Sequence, residues 1–168
     1  MIKYEYNSWQ FSEFEREDGH MITYVSILND DNKVSKIKLI FDSGAYVTVI
    51  SKPTARKIGL PVGTGKPASL RGFNREHTVV AGELIEIPKI MIGKHFVSDV
   101  KAVIPLDDIP VAEVLGENLL EYMNYTVDHD KDKIYFAKNP NPKPYINEEK
   151  GIDLSCGGVL LHSIDLQK

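Results

Sequence analysis

The feature that most narrows what this chain can fold into is the spacing of its β-branched runs. Residues 21–28 (MITYVSIL) and 34–41 (VSKIKLIF) roughly alternate apolar and polar positions, and Asn29-Asp30-Asp31-Asn32-Lys33 separates them. A period of two marks a half-buried strand, and a polar break of this length predicts a hairpin. The pattern recurs down the chain. Residues 68–71 and 77–80 flank Gly72-Phe73-Asn74-Arg75-Glu76 as a second hairpin. Strand-like runs at 83–88, 90–92 and 96–104 follow, and Thr126-Val127 and Ile134-Tyr135-Phe136 bracket a third turn. Many short strands with frequent turn signals predict a mainly β fold, a sandwich or small closed β-barrel, rather than alternating βαβ units. One short helix is expected from Ser51 to Gly59, with Ser51 or Thr54 as its cap and Gly59 as its stop. The second half of 111–123 suits another.

At 168 residues, 42% hydrophobic and 26% charged, the chain suits one soluble globular domain. Its net charge of −4 and pI near 5.7 argue against nucleic acid as a partner. No apolar run approaches the length of a membrane span, so no membrane partner is expected. The first residues, MIKYEY, are polar and acidic where a signal peptide would be basic and then apolar. With one cysteine, Cys156, an intrachain disulfide framework is excluded and a cytoplasmic location is the expectation. Three segments are expected: an N-terminal arm or strand at 1–20, a folded domain at 21–138, and a Pro-rich linker and tail at 139–168. The linker is Asn139-Pro140-Asn141-Pro142-Lys143-Pro144, and the tail ends in an apolar run, 159–164, that suits an edge strand.

Within this β pattern one residue is out of place. The apolar strand 34–41 drives into Asp42-Ser43-Gly44-Ala45, and the chain then turns apolar again at 47–50. Burying an unpaired carboxylate is costly, so an acid here either ends a strand or does work. Ser43 offers a hydroxyl to bond to, and Gly44 lets the backbone turn tightly. Other motifs fall short. Gly63-Thr64-Gly65-Lys66 has Leu60 and Pro67 where a phosphate loop needs glycine and Ser/Thr. Asp128, Asp130 and Asp132 start like a calcium loop, but Lys133 and Asn139 occupy its glycine and glutamate positions. His20, His77, His95, His129 and His162 show no metal-ligand spacing, and Cys156 with His162 sits in no recognisable catalytic frame. No metal or other cofactor is expected.

Much later in the chain comes an apolar-apolar-Gly element, Val114-Leu115-Gly116, leading into Glu117-Asn118-Leu119-Leu120. With Asp42-Ser43-Gly44-Ala45, Thr48 three residues on, and a glycine-tipped hairpin between, this set in this order resembles the retropepsins, the retroviral-type single-lobe aspartic proteases. The run Lys57-Ile58-Gly59-Leu60 looks most like bacterial members. The resemblance covers about 21–136. It implies a small closed β-barrel of the acid-protease type with Asp42 as catalytic aspartate, and Ser43 and Gly44 as the rest of its triplet. Ala45 would be the next cleft residue, Gly72 and Phe73 would lie at or near the tip of a flap over the substrate, and Gly116 would be the glycine of the loop beneath the active-site strand.

Peptide hydrolysis by carboxylates needs two of them, one ionised and one protonated. This chain has one Asp-Ser-Gly, so the resemblance implies a homodimer with Asp42 and its mate on the two-fold axis, acting on a peptide or protein substrate. Ser43 hydroxyls would tie the two loops across that axis. The chain departs from the viral pattern at two positions. An acid after the triplet's alanine, paired with an arginine past the helix glycine, is replaced here by Tyr46 and Glu117. Two readings stay open at this point: an aspartic endopeptidase, or a catalytically silent dimeric peptide- or protein-binding module on the same fold. The tail at 139–168, with its apolar Val159-Leu160-Leu161, is a candidate cover for the cleft.

Overall fold

The computed structural model describes residues 9–71, 79–106 and 111–142. The expected flap-tip residues Gly72 and Phe73, the loop 107–110, Cys156, His77, His162 and the apolar run of the tail lie outside them. Among the described residues the chain is mainly β, with two short helices.

Strands β2 (His20–Leu28) and β3 (Val34–Phe41) form the first expected hairpin, in register from Ile22 opposite Ile40 to Leu28 opposite Val34. Asn29 fixes its turn. The buried amide oxygen accepts from the N–H groups of Asp31 and Lys33 at 3.0 Å each, while its NH2 donates to Ile58 O at 3.1 Å. A buried amide with both ends satisfied is a stable turn anchor. Beyond Phe41 the chain runs through β4 (Thr48–Val49) into helix α1 (Lys52–Lys57), whose cap is Ser51. The Ser51 hydroxyl accepts from Thr54 N–H at 3.3 Å, and Gly59 ends the helix in the left-handed region at φ +73°.

Strands β5 (Lys66–Arg71) and β6 (Val79–Ile92) make the second hairpin, and β6 pairs onward with β7 (His95–Pro105). The sequence suggested a break near Pro88; β6 is instead one strand of 14 residues. Pro88 sits between the pairs Ile87–Val100 and Lys89–Ser98, and the irregularity falls on the facing strand, where Asp99 takes φ +57°. Strand β8 (Val114–Leu115), helix α2 (Glu117–Leu120), β9 (Met123–Asp128) and β10 (Lys133–Lys138) complete the described chain.

The sheet closes on itself. Neighbours run β6-β7-β4-β8-β3-β2, and β2 returns to β6 through Ser26–Met91, Ile27–Ile90 and Leu28–Lys89. The result is a closed six-stranded barrel, as the resemblance implied. Strand β1 (Gln10–Glu17) pairs with β2 on one side and β10 on the other, so residues 10–17 extend the sheet past the barrel. Val25, Ile27, Leu39, Ile87, Ile90 and Ile104 fill the barrel, each fully or almost fully buried. Burying such a side chain stabilises by roughly 1.5–3 kcal/mol. A second apolar cluster lies beside it: Ala45, Val47 and Val49 from the segment after Asp42 pack with Leu70 and Val80 from the β5–β6 stem and with Val114. The stem of the hairpin is thereby packed onto the segment that carries the acid. No described helix is long and apolar enough to cross a membrane.

Candidate active site

Phe41 ends β3 in parallel register with Leu115, and both side chains are buried. The backbone leaves the barrel at the next residue. Asp42 N–H donates to Leu115 O at 3.2 Å, and Ala45 N–H donates back to Asp42 O at 3.2 Å, closing a turn over the exposed Ser43 and Gly44. Within that turn Asp42 Oδ1 accepts from Gly44 N–H at 2.8 Å. Asp42 Oδ2 is buried and has no hydrogen-bond partner among the described residues. A carboxylate oxygen withdrawn from water without a partner is unfavourable, so this geometry holds one oxygen fixed and the other unsatisfied.

The turn is bolted to the β8–α2 element. Glu117 N–H donates to Ala45 O at 2.7 Å, and Asn118 N–H to Tyr46 O at 3.1 Å. The buried Asn118 carboxamide oxygen accepts from Thr48 N–H at 2.8 Å and from Thr48 Oγ1 at 3.0 Å, while its NH2 donates to Lys101 O at 2.5 Å. Thr48 Oγ1 in turn accepts from Gly116 N–H at 3.2 Å. Gly116 is a glycine because there is no room for more: a Cβ would stand 2.5 Å from Val47 C and 2.6 Å from Val47 O. Its φ of −96° is ordinary, so close approach and not backbone conformation demands it.

A second carboxyl stands beside the first. Glu117 opens α2, and burial pushes its carboxyl above the usual glutamate range; a bond from Tyr125 works against this, and the negative charge of Asp42 adds to it. Tyr125, on β9, is half-buried, with its ring edge-on to Phe41 at 5.1 Å between centroids. Burial raises the Tyr125 hydroxyl above its ordinary value, as does the nearby Glu117 charge, while a bond with Ser43 lowers it.

The residues singled out in the sequence are thus distributed unevenly. Asp42, Ser43, Gly44 and Gly116 meet in one place. Ala45 adjoins them but is fully buried in the single chain, its carbonyl occupied by Glu117 N–H. The Thr48–Asn118 lock and Tyr125 were not foreseen. A polar Asn118 inside an apolar run was the available signal for the lock, since buried polar groups need partners. Tyr125 carried none. The lookalikes have structural roles: the Gly63 and Gly65 N–H groups donate to the buried Glu83 carboxylate at 2.7–3.1 Å, and Asp128 Oδ1 accepts from Asp130 N–H and Lys131 N–H at 3.1 Å within a turn. Among the described residues no group of His, Cys, Asp and Glu is arranged to hold a metal ion.

Residues 31–122 match the family model described as gag-polyprotein putative aspartyl protease. The chain belongs to this retropepsin-like family. Its fold is similar to that of a retropepsin-like aspartic protease from Rickettsia conorii, at 25% identity and a TM-score of 0.56 over 77% of this chain and 90% of that one. EIAV protease, solved with the inhibitor HBY-793, aligns at 17% identity over 64% of this chain and 90% of that one, with a TM-score of 0.44. No curated protein matches the chain. The segment shared with the family holds Asp42, Thr48, Gly116, Glu117 and Asn118. It stops before Tyr125 and the β9–β10 hairpin.

Proposed function

We propose that this chain is an aspartic endopeptidase that works as a symmetric homodimer, with Asp42 of each copy facing its mate across the axis. The observation that carries this reading is the state of Asp42 inside the family's shared segment. One carboxylate oxygen is fixed by Gly44 N–H and the other is buried without a partner, at the exposed Ser43-Gly44 turn. A second Asp42 brought up to that turn supplies the missing partner. Two carboxylates a few ångströms apart cannot both ionise, so the pair holds one proton between them.

The chemistry then follows. The ionised carboxylate takes a proton from a water held between the two acids, and the water oxygen bonds to the carbonyl carbon of the scissile peptide. The protonated carboxyl gives its proton to the carbonyl oxygen, producing a neutral tetrahedral intermediate. Return of a proton to the amide nitrogen breaks the C–N bond and releases acid and amine. Gly72 and Phe73 are proposed to lie over the peptide, above the β5–β6 stem packed at Leu70 and Val80, with the exposed Ser43-Gly44 turn beneath it and the buried Ala45 supporting that turn from behind. An extended peptide bound between such elements is recognised largely through its backbone. Gly116 and the Thr48–Asn118 lock hold the acid turn in place. The proposed unit runs from 21 to 138, with 1–20 as an N-terminal arm or strand, of which Gln10–Glu17 forms β1, and 139–168 as linker and tail.

The test is Asp42→Asn assayed against a peptide library. The substitution keeps the side chain's shape and its bond from Gly44 N–H. Turnover should fall at least about a thousandfold while the circular dichroism and melting curve stay in place. Undiminished cleavage by that variant would exclude Asp42 as the catalytic group. A wild type that dimerises and retains peptides without cutting them would point instead to a binding module.

A further inference from the structure

The run Gly63-Thr64-Gly65 fails as a phosphate loop, yet its backbone does hold an anion, the side chain of Glu83 on β6. Glu83 is only 4% exposed and stands opposite Pro67 of β5. Gly63 N–H donates to both of its carboxylate oxygens, at 2.7 and 2.9 Å, and Gly65 N–H donates to one of them at 3.1 Å. A buried carboxylate is tolerated only with such bonds, and backbone N–H groups that converge on one form a nest of partial positive charge. Both glycines are needed for the loop to close on the acid. Gly63 lies in the left-handed region at φ +87°, and a Cβ on Gly65 would stand 2.6 Å from Leu84 O.

This loop joins α1 to β5, and β5 is the strand that most needs holding. It lies at the edge of the sheet and, among the described residues, pairs with β6 alone. Its Ala68 and Leu70 pack on the cluster that contains Ala45 and Val47, from the segment after Asp42. Apolar contact of this kind is non-directional and leaves the strand free to slide, whereas the three bonds to Glu83 fix where β5 begins. We propose that Glu83 is a positioning residue for substrate: its carboxylate, caged by the Gly63 and Gly65 N–H groups, sets how the β5–β6 stem stands over the Asp42 turn and so the space left for an extended peptide. This rests on the peptidase reading above and deepens it, assigning control of peptide affinity to a side chain bonded to no part of the acid turn. The hydrogen bonds that hold that turn run to Leu115, Glu117 and Asn118 instead. Loss of the Glu83 cage should therefore weaken peptide binding and spare the chemical step.

The experiment compares full-length wild type with Glu83→Gln and Gly63→Ala, with Asp42→Asn as blank. Glu83→Gln keeps the length of the side chain but sets an NH2 donor against N–H donors. Gly63→Ala leaves Glu83 intact: the position is exposed and a Cβ there meets nothing within 4 Å, so only the backbone angle that aims the N–H is penalised. On a peptide that wild type cleaves, with each protein held well below its melting midpoint, Glu83→Gln should raise KM about tenfold and Gly63→Ala about threefold, with kcat changed less than about twofold. Hydrogen exchange at the Gly63 and Gly65 amides should quicken in both variants. Should Glu83→Gln fail to fold, Gly63→Ala carries the same test. Faster amide exchange and a lower melting midpoint with KM unchanged would mean that the cage serves stability alone; that result overturns the inference and leaves the peptidase reading standing. So would a fall in kcat at constant KM, which places Glu83 with the chemistry, or Gly63 and Gly65 amides that exchange freely in wild type. A wild type with no turnover removes the peptidase reading and this inference together.

Discussion

Two residues beside Asp42 are constrained for different physical reasons. Gly116 is constrained by space. A methyl group there would meet the backbone of Val47 and the N–H of Thr48, and backbone cannot rotate away as a side-chain tip can. Gly116→Ala should therefore lower unfolding stability by about 3 kcal/mol, read as a drop in the urea midpoint. A loss under about 0.5 kcal/mol would mean the segment yields more easily than its packing implies. Glu117 is constrained by charge. Its carboxyl is raised above the ordinary glutamate value in the folded chain, chiefly by burial, so the folded state holds that proton more tightly than the unfolded state does. The stability tied to that proton is complete below the ordinary glutamate value and is lost as pH rises through the folded one. Glu117→Gln cannot lose it. The variant should gain stability relative to wild type between pH 4 and neutrality, and parallel stability curves over that range would contradict the assigned environment. In the sequence, Asp42 and Gly116 were legible because each breaks an apolar run at a chemically odd place. Tyr125 was not, because it is one aromatic among several on a hairpin, and three-dimensional closure alone brings it to Ser43.

At the scale of elements, α2 is too short to persist unaided. Four residues form barely one turn, and its cap, Gly116, offers no side chain to the free N–H groups. The neighbouring segment supplies what the sequence of the helix lacks. Ala45 O and Tyr46 O accept the N–H groups of Glu117 and Asn118, and the Asn118 carboxamide reaches back to Thr48 and across to Lys101. Replacing Asn118 by alanine leaves the Thr48 N–H and the Lys101 carbonyl without that partner in a buried place. The expected cost is about 3 kcal/mol, with activity reduced further than stability because the acid turn hangs on the same lock. Hydrogen exchange at the Thr48 amide would report it directly: exchange as slow as in wild type means the lock is replaceable. The hairpins β2–β3, β5–β6 and β9–β10 were readable because alternation and turn residues are local. The single long β6 was not, since Pro88 reads as a break until the facing strand is seen to take up the irregularity at Asp99. The cap at Ser51 was readable as one of two choices, and the geometry selects it over Thr54.

The whole molecule joins these parts through one topological fact: the barrel closes by β2 returning to β6, which places the acid turn, the α2 lock and the β5–β6 stem around one apolar cluster. Closure was legible only through the resemblance, because no local pattern tells which distant strands pair. What the single chain does not contain is a second Asp-Ser-Gly. If Asp42 works only with its counterpart, inactive chains should poison active ones. Wild type allowed to exchange subunits with a ninefold excess of Asp42→Asn should retain roughly a tenth of its activity, since random pairing gives only that share of wild-type chains a wild-type mate. Light scattering on the same mixtures should show a constant dimer mass, so that the loss reflects pairing and not aggregation. Activity unaffected by the excess, after exchange confirmed with a labelled chain, would mean that each chain cleaves alone and that the second acid lies within it, with Glu117 the carboxyl nearest to hand.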